Sequence, residues 1–300
     1  MNHRQYAAAG VDLDQADDAK ERIGRMVEAT RTTHSVGAVG SFGGQVRIPP
    51  GYRSPVLVMS TDGVGTKVLV AHQAGRFDTI GEDLVNHSVN DILVHGATPL
   101  AFQDYIAGHR LTVGMIADVV SGVARGCVAH GMALTGGETA QMPGVYAEGT
   151  FDLAGTIVGV VEESESIHGD RIAAGDVLIG YQSTGLHTNG YTLARHVLFD
   201  TMKLSLEAVL PDSGHSVADA LLAVHRSYQA AIAPVAGLIH GMAHITGGGI
   251  AGNLVRVLPA GVEAVIETRS WEWPPIFRVI AEGGRVSRDE MREVFNLGVG

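Results

Sequence analysis

The apolar and polar positions of this chain fall into blocks whose period changes along its length. The short continuous apolar run Val56–Ser60 predicts a buried strand. Between Asp83 and His95, Leu84, Val85, Val89, Ile92 and Leu93 recur on one helical face. Leu100–Ala107 predicts a strand, Val113–Gly131 a helix capped by Gly131, and Met132–Thr135 and Phe151–Val161 two further strands. Helices between strands imply an α/β (α+β) layered domain. Ala16–Arg31 predicts a helix within an otherwise irregular first fifty residues, which end in the glycine cluster Gly37–Gly44.

The pattern shifts after Val161. Glu162–Asp170 is polar and acidic, which places a domain boundary there and divides the chain into residues 1–163 and 164–300. Beyond it, Val177–Tyr181 predicts a strand and Tyr191–Phe199 a helix, followed by a connector over Asp200–Val217. Ala218–Leu238 predicts a helix interrupted at Pro234, Ile250–Leu258 a helix, Ala264–Ile266 a strand and Pro274–Glu282 a helix.

Composition narrows the classes of function. The 300 residues carry a formal net charge of −11, which argues against a nucleic-acid or anionic-membrane surface. No apolar run reaches membrane-spanning length. The single cysteine, Cys127, excludes an internal disulfide and fits a reducing compartment, so a cytoplasmic location is expected. The 40 glycines cluster between apolar runs rather than forming a linker.

Those clusters carry the candidate chemistry. Thr61-Asp62-Gly63-Val64-Gly65-Thr66-Lys67 follows the first strand. Gly63 and Gly65 let backbone approach a phosphate, Asp62 can hold Mg²⁺, and Lys67 can meet phosphate oxygens. The glycine spacing is neither that of the common NTPase loop nor that of a dinucleotide fingerprint. Asp91, Asp104 and Glu138, each following or ending an apolar element, join Asp62 as an acid set expected to face one cleft. Gly136 and Gly137 before Glu138 suit either ligand approach or a tight turn. Ser183–Gly190 crowds hydroxyls, His187, Thr188 and Asn189 before a helix, where anions bind or a cap forms. Gly247 and Gly248 in Thr246–Gly249 repeat the glycine-before-helix pattern. His87, Asp91 and His95 share a helical face, but i to i+8 spans about 12 Å, too far for one zinc ion.

Taken together, these segments resemble the phosphoribosylformylglycinamidine cyclo-ligase (aminoimidazole ribonucleotide synthetase) family. The resemblance runs through Ala9–Asp12, Thr61–Lys67, Asp78–Gly81, Val89–Ile92, Asp104-Tyr105, Gly136–Thr139, Met142–Gly144, His187–Tyr191, Thr246–Gly249 and Phe295–Gly300. It implies two α/β domains and a homodimer whose N-terminal sheets build a barrel. ATP would lie in the cleft, with residues 1–50 as a lid. The implied reaction transfers the γ-phosphoryl of ATP to an amide oxygen of formylglycinamidine ribonucleotide, giving an iminophosphate. The amidine nitrogen then closes the ring to 5-aminoimidazole ribonucleotide, releasing ADP and phosphate. On this reading Asp62, Asp91 and Glu138 hold Mg²⁺, and Gly63, Gly65, Thr66, Gly136, Gly137 and Glu138 contact ATP. Lys67 neutralises phosphate charge, His187 accepts a proton, and Thr188, Asn189, Gly247 and Gly248 bind the phosphoribosyl nucleotide. The alternatives are a sister ATP-dependent synthetase of the same superfamily and a non-catalytic nucleotide-binding dimer.

Two departures from the family pattern stand out. Arg25 takes the neighbourhood of a lysine the family commonly carries near Gly24, so an ATP contact there is not expected. Family members usually continue some tens of residues past the position of Gly300, so the last strands and helix of the second domain are expected to be missing.

Overall fold

The computed structural model describes residues 22–300. The motif Ala9–Asp12 and the first part of the helix expected over Ala16–Arg31 lie outside the described residues. Residues 22–29 are helical. A two-stranded ribbon, β1 (Ser35–Val36) and β2 (Gln45–Val46), follows.

The N-terminal half is one mixed sheet covered on one face. Its strands are β3 (Pro55–Gly63), β4 (Thr98–Gly108), β5 (Ala133–Gln141) and β6 (Phe151–Glu162), in the order β3-β6-β4-β5. β6 pairs antiparallel with both β3 and β4, whereas β4 and β5 run parallel. Side chains alternate between faces along each strand. Ile157, Phe102 and Ile106 point inward and are fully buried. Leu57, Met59 and Tyr105 point outward, and among the described residues they remain partly exposed, Met59 at 66%.

Between β3 and β4 come α2 (Lys67–Ala74) and α3 (Asp78–Leu93), and between β4 and β5 comes α4 (Val113–Ala129), counting residues 22–29 as α1. Helix α4 starts cleanly because Thr112 Oγ1 accepts the Met115 N–H at 3.2 Å, satisfying one of the free donors of the first turn. Helices α3 and α4 pack against the inner sheet face and cross at two glycines. A Cβ on Gly81 would fall 2.0 Å from the Val119 carbonyl oxygen, and one on Gly122 would fall 2.0 Å from that of Asp78. Leu84, Val85, Val89 and Ile92 of α3 and Val119, Val123 and Cys127 of α4 fill the space so enclosed.

The C-terminal half is helical and irregular. It contains α5 (Tyr191–Arg195), prolonged by a π turn at His196–Thr201, then α6 (Val217–Leu221), α7 (Gln229–Ile232), α8 (Gly249–Leu254), α9 (Pro275–Gly284) and α10 (Arg288–Val294). The strands expected at Val177–Tyr181 and Ala264–Ile266 are not formed. Those segments find no ladder partner, and Val177, Ile179 and Val265 are exposed. The single helix expected over Ala218–Leu238 is two short helices and a 3₁₀ turn, Ala233–Leu238, with Pro234 at its start. No helix among the described residues is long and apolar enough to cross a membrane.

Candidate active site

Helix α3 is buried all round because it carries two kinds of face. Its apolar face meets the sheet and α4. Asp83, Asn86, His87 and Asn90, at helical spacing i, i+3, i+4 and i+7, form a buried polar stripe against residues 223–228. Asp83 Oδ1 accepts the His225 N–H at 2.7 Å, and Asn86 Nδ2 donates to the His225 carbonyl at 2.7 Å. Asn90 accepts the Tyr228 N–H at 3.0 Å and donates to the Arg226 carbonyl at 2.8 Å. Unpaired backbone groups are costly inside a protein, so this stripe fixes an irregular segment on the helix without a sheet.

The end of β3 meets α3 at His87. Its Nε2 lies 2.7 Å from Asp62 Oδ2 and 3.6 Å from Asp91 Oδ2, and its Nδ1 lies 2.7 Å from Thr188 Oγ1. Asp91 also accepts from Ser60 Oγ at 2.9 Å and pairs with His244 Nδ1 at 2.8 Å. Burial opposes ionisation of Asp62, but the His87 hydrogen bond and charge outweigh it and hold the carboxyl below its usual range. Asp91 is likewise lowered against burial, by the His244 hydrogen bond and the His87 charge. His87 moves the other way: burial would depress it, yet the Asp62 hydrogen bond and the Asp91 charge raise it.

Three loops border this pair of carboxylates. A Cβ on Gly65 would lie 3.5 Å from the Thr188 carbonyl oxygen, and Thr66 Oγ1 sits 3.3 Å from Thr192 Oγ1. A Cβ on Gly247 would lie 3.6 Å from Asn189 Oδ1. The segments around Gly63–Thr66, His187–Asn189 and Gly247-Gly248 are therefore adjacent. The result is two half-open carboxylates beside glycine-lined backbone, an arrangement suited to a metal-bound polyphosphate.

Both halves of the chain have known relatives. A family model described as AIR synthase related protein, N-terminal domain, matches residues 46–161, and one described as AIR synthase related protein, C-terminal domain, matches residues 173–300. Phosphoribosylformylglycinamidine cyclo-ligase of Myxococcus xanthus (strain DK1622) is 51% identical over 298 residues, covering 98% of this chain and 86% of that protein. The protein of the same name from Sorangium cellulosum (strain So ce56) is 49% identical, with 98% and 86% covered. The chain belongs to the phosphoribosylformylglycinamidine cyclo-ligase family.

Among solved structures, thiamine-monophosphate kinase from Stenotrophomonas maltophilia K279a superposes with a TM-score of 0.65 at 17% identity, covering 93% of this chain and 82% of that one. The Aquifex aeolicus enzyme has a TM-score of 0.55 at 16% identity, with 81% and 76% covered. At these identities the likeness is one of fold.

Not every residue read from the sequence of this cyclo-ligase family member stands where it was expected. Lys67 does not face a phosphate site. Its position at the first turn of α2 aims it into the core, where Nζ lies 2.7 Å from Asp83 Oδ2 and donates to the carbonyls of Ala223 (2.9 Å) and His187 (3.2 Å). Burial lowers the pKa of Lys67 and raises that of Asp83, and the ion pair opposes both shifts. Glu138 does not join Asp62 and Asp91. It is exposed on the outer face of β5, opposite Tyr105, and β5 is three strand spacings of about 4.8 Å from β3. Gly136 and Gly137 lie on the same strand. Gly137 is a glycine for packing, since a Cβ there would fall 2.5 Å from Asp104 Oδ1. Asp104 itself faces inward, and burial pushes its carboxyl up to about 7.

His187 is also placed unexpectedly. It is buried, in a left-handed backbone conformation (φ 61°), and stacked 3.9 Å from His225. Its Nε2 accepts the Thr184 N–H at 3.2 Å, which leaves the ring proton on Nδ1, a buried atom with no partner. Burial first, then the His244 and Lys67 charges, holds its pKa well below the usual value. As folded it offers a hydrogen-bond donor rather than a proton acceptor. Gly248 and Gly249 adopt positive φ (97° and 63°), and a Cβ on Gly249 would fall 1.7 Å from the Arg292 carbonyl oxygen, so this glycine run is required by the backbone itself. Sequence reasoning missed His225 and His244. The signal available was a lone histidine at the end of the apolar run Leu221–Val224 and another just ahead of Thr246–Gly249.

Proposed function

We infer that this chain catalyses the ATP-dependent closure of formylglycinamidine ribonucleotide to 5-aminoimidazole ribonucleotide, releasing ADP and phosphate, in purine biosynthesis. Identity of 46–51% to enzymes of that name over 98% of the chain supports the reading. The observation that carries it structurally is the convergence of Asp62 and Asp91, from distant segments, beside the glycine loop 63–66.

The residues fit a hard divalent cation. Asp62, His87 and Asp91 each present a ligand atom, all within 4.8 Å of one another, and two carboxylates are what Mg²⁺ bound to a nucleotide requires of a protein. Asp62 and Asp91 would hold it, and bound Mg²⁺ would supply charge neutralisation for phosphoryl transfer. His87 steadies both carboxylates in the ionised form. Gly63, Gly65 and Thr66 give phosphates close access to backbone. Asn189, Thr188 and the Gly247-Gly248 backbone orient the substrate, and buried His187 supports their loop by accepting the Thr184 N–H. Lys67 acts as a support: by tying the carbonyls of His187 and Ala223 to Asp83 it fixes the substrate loop on α3.

The outer sheet face, with Leu57, Met59 and Tyr105, is the surface we assign to a second copy of the chain, giving a homodimer built sheet to sheet. Residues 1–163 would form the nucleotide-binding and dimerising unit and residues 164–300 the second unit, in the cytoplasm. The deciding experiment measures ADP release from purified protein with Mg-ATP, with and without formylglycinamidine ribonucleotide. Substrate-dependent ADP and aminoimidazole product are expected. Nucleotide binding without substrate-dependent turnover would overturn the reading.

A further inference from the structure

Asp91 is gripped from both halves of the chain. From the N-terminal half, Ser60 Oγ on β3 donates to its Oδ2 at 2.9 Å, and His87 Nε2, one turn back on α3, lies 3.6 Å from the same oxygen. From the C-terminal half, His244 Nδ1 lies 2.8 Å from Oδ1. An ionised carboxylate only accepts, so His244 Nδ1 carries the hydrogen and donates it. Rotation of an aspartate carboxyl about its last bond is soft, with no sharp staggered minimum. Donors on opposite oxygens, arriving from separate elements, remove that freedom and fix the plane of the carboxylate. Each oxygen has two lone pairs, so one donor apiece leaves room for a cation.

The C-terminal donor is itself well held. The His244 side chain is 5% exposed, and its ring stands edge-on to those of His87 and His225 at centroid distances of 4.9 and 5.4 Å. The next residue, Ile245, is buried. Beyond it, Asn253 Nδ2 donates to the Gly249 carbonyl at 2.8 Å and to that of Gly247 at 3.3 Å, which staples the glycine run to α8. The two ring nitrogens of His244 face Asp91 and His225, not the residues assigned above to the substrate.

We propose that His244 is a positioning residue for the cation. It sets the plane of the Asp91 carboxylate, and so the strength with which the divalent metal of the nucleotide is held, without touching metal or substrate. The inference rests on the reading of Asp62 and Asp91 as the carboxylates of that cation. A hydrogen bond to a ligating carboxylate is typically worth about ten- to a hundredfold in metal affinity. Because the donor is Nδ1, two amide replacements separate its role from that of bulk. Asparagine places an amide nitrogen close to the position of Nδ1 and keeps the donor. Glutamine places its amide close to the position of Nε2, toward His225, and leaves Asp91 Oδ1 without one.

The test compares full-length wild type, His244→Asn and His244→Gln in two measurements. Mn²⁺, an oxygen-seeking ion with a spin signal, is titrated in the presence of a non-hydrolysable ATP analogue. His244→Gln should weaken its binding about tenfold or more, and His244→Asn less than about threefold. In turnover, His244→Gln should raise the Mg²⁺ needed for half-maximal rate by a similar factor, while KM for formylglycinamidine ribonucleotide stays within about twofold. A residue that merely shaped loop 246–249 would raise that KM and leave Mn²⁺ binding alone. Asp91→Asn/His244→Gln should bind Mn²⁺ no more weakly than Asp91→Asn, because the histidine acts through the carboxylate. Should His244→Gln not fold, His244→Ala takes its place. Wild-type Mn²⁺ affinity in His244→Gln, equal losses in the Asn and Gln variants, or additive losses in the double variant would overturn the proposal. Absence of ADP release from wild type would overturn the reaction proposed above but not this inference, since the Mn²⁺ titration needs no turnover.

Discussion

The Lys67 ammonium lies 2.7 Å from the Asp83 carboxylate, and neither side chain reaches solvent. An ion pair in such a place is held by geometry rather than by net gain, and removing one partner leaves a buried charge uncompensated. Lys67→Met should therefore destabilise the protein by roughly 3–5 kcal/mol in urea unfolding, and Lys67→Met/Asp83→Asn, which removes the orphaned charge but keeps an acceptor for the His225 N–H, should recover part of that loss. Full stability in the single variant would show that the pair is not the support described.

Asp62→Asn and Asp91→Asn should each lower kcat by a hundredfold or more while circular dichroism and oligomeric state are retained, because each removes a charged ligand oxygen without changing shape. Raising Mg²⁺ should partly restore turnover in either variant. Normal turnover in both would dissociate these carboxylates from catalysis.

Asp104 makes stability depend on pH in a defined direction. Its folded pKa, about 7, is raised above the usual carboxyl value of 3.8. A raised group contributes stability that is fully present below the unfolded pKa and is lost as pH rises through the folded one. Wild type should weaken between pH 4 and 7, on the order of 1.4 kcal/mol for each pH step of one across that window, and Asp104→Asn should not. Equal pH dependence in the two proteins, read from urea midpoints at pH 5 and 8, would refute the burial argument.

Met59, 66% exposed on the outer sheet face, is the place to test the dimer. Met59→Glu puts a charge where two sheets would pack and should shift the sedimentation mass from dimer to monomer at micromolar concentration. An unchanged mass would move the interface elsewhere.

The sheet and its two long helices were legible in the sequence because their apolar runs are long and their periods distinct. Strand ends were less so. Thr61-Asp62-Gly63 reads as a loop but completes β3, and Gly136–Thr139 reads as a turn but continues β5, because pairing with β6 and β4 overrides the local preference of glycine. Helix α2 begins at Lys67, the last residue of what reads as a phosphate loop, and that start sets the inward course of Lys67. Asp62 and Asp91 were legible as acids following apolar elements. His225 and His244 were not, since a site assembled from single residues on separate loops has no spacing for a sequence to reveal. The segments at 177–181 and 264–266 have the composition of strands, yet a strand exists only when a neighbour supplies its hydrogen bonds.

The reciprocal contact of Gly81 and Gly122 ties chemistry to a distance set far from it. Helix α3 brings His87 and Asp91 to Asp62 only while its axis stays at the depth those two missing methyls permit. One extra carbon at either crossing point would lever the helix outward and pull the two carboxylates apart, silencing the enzyme without altering a single group that touches its substrates.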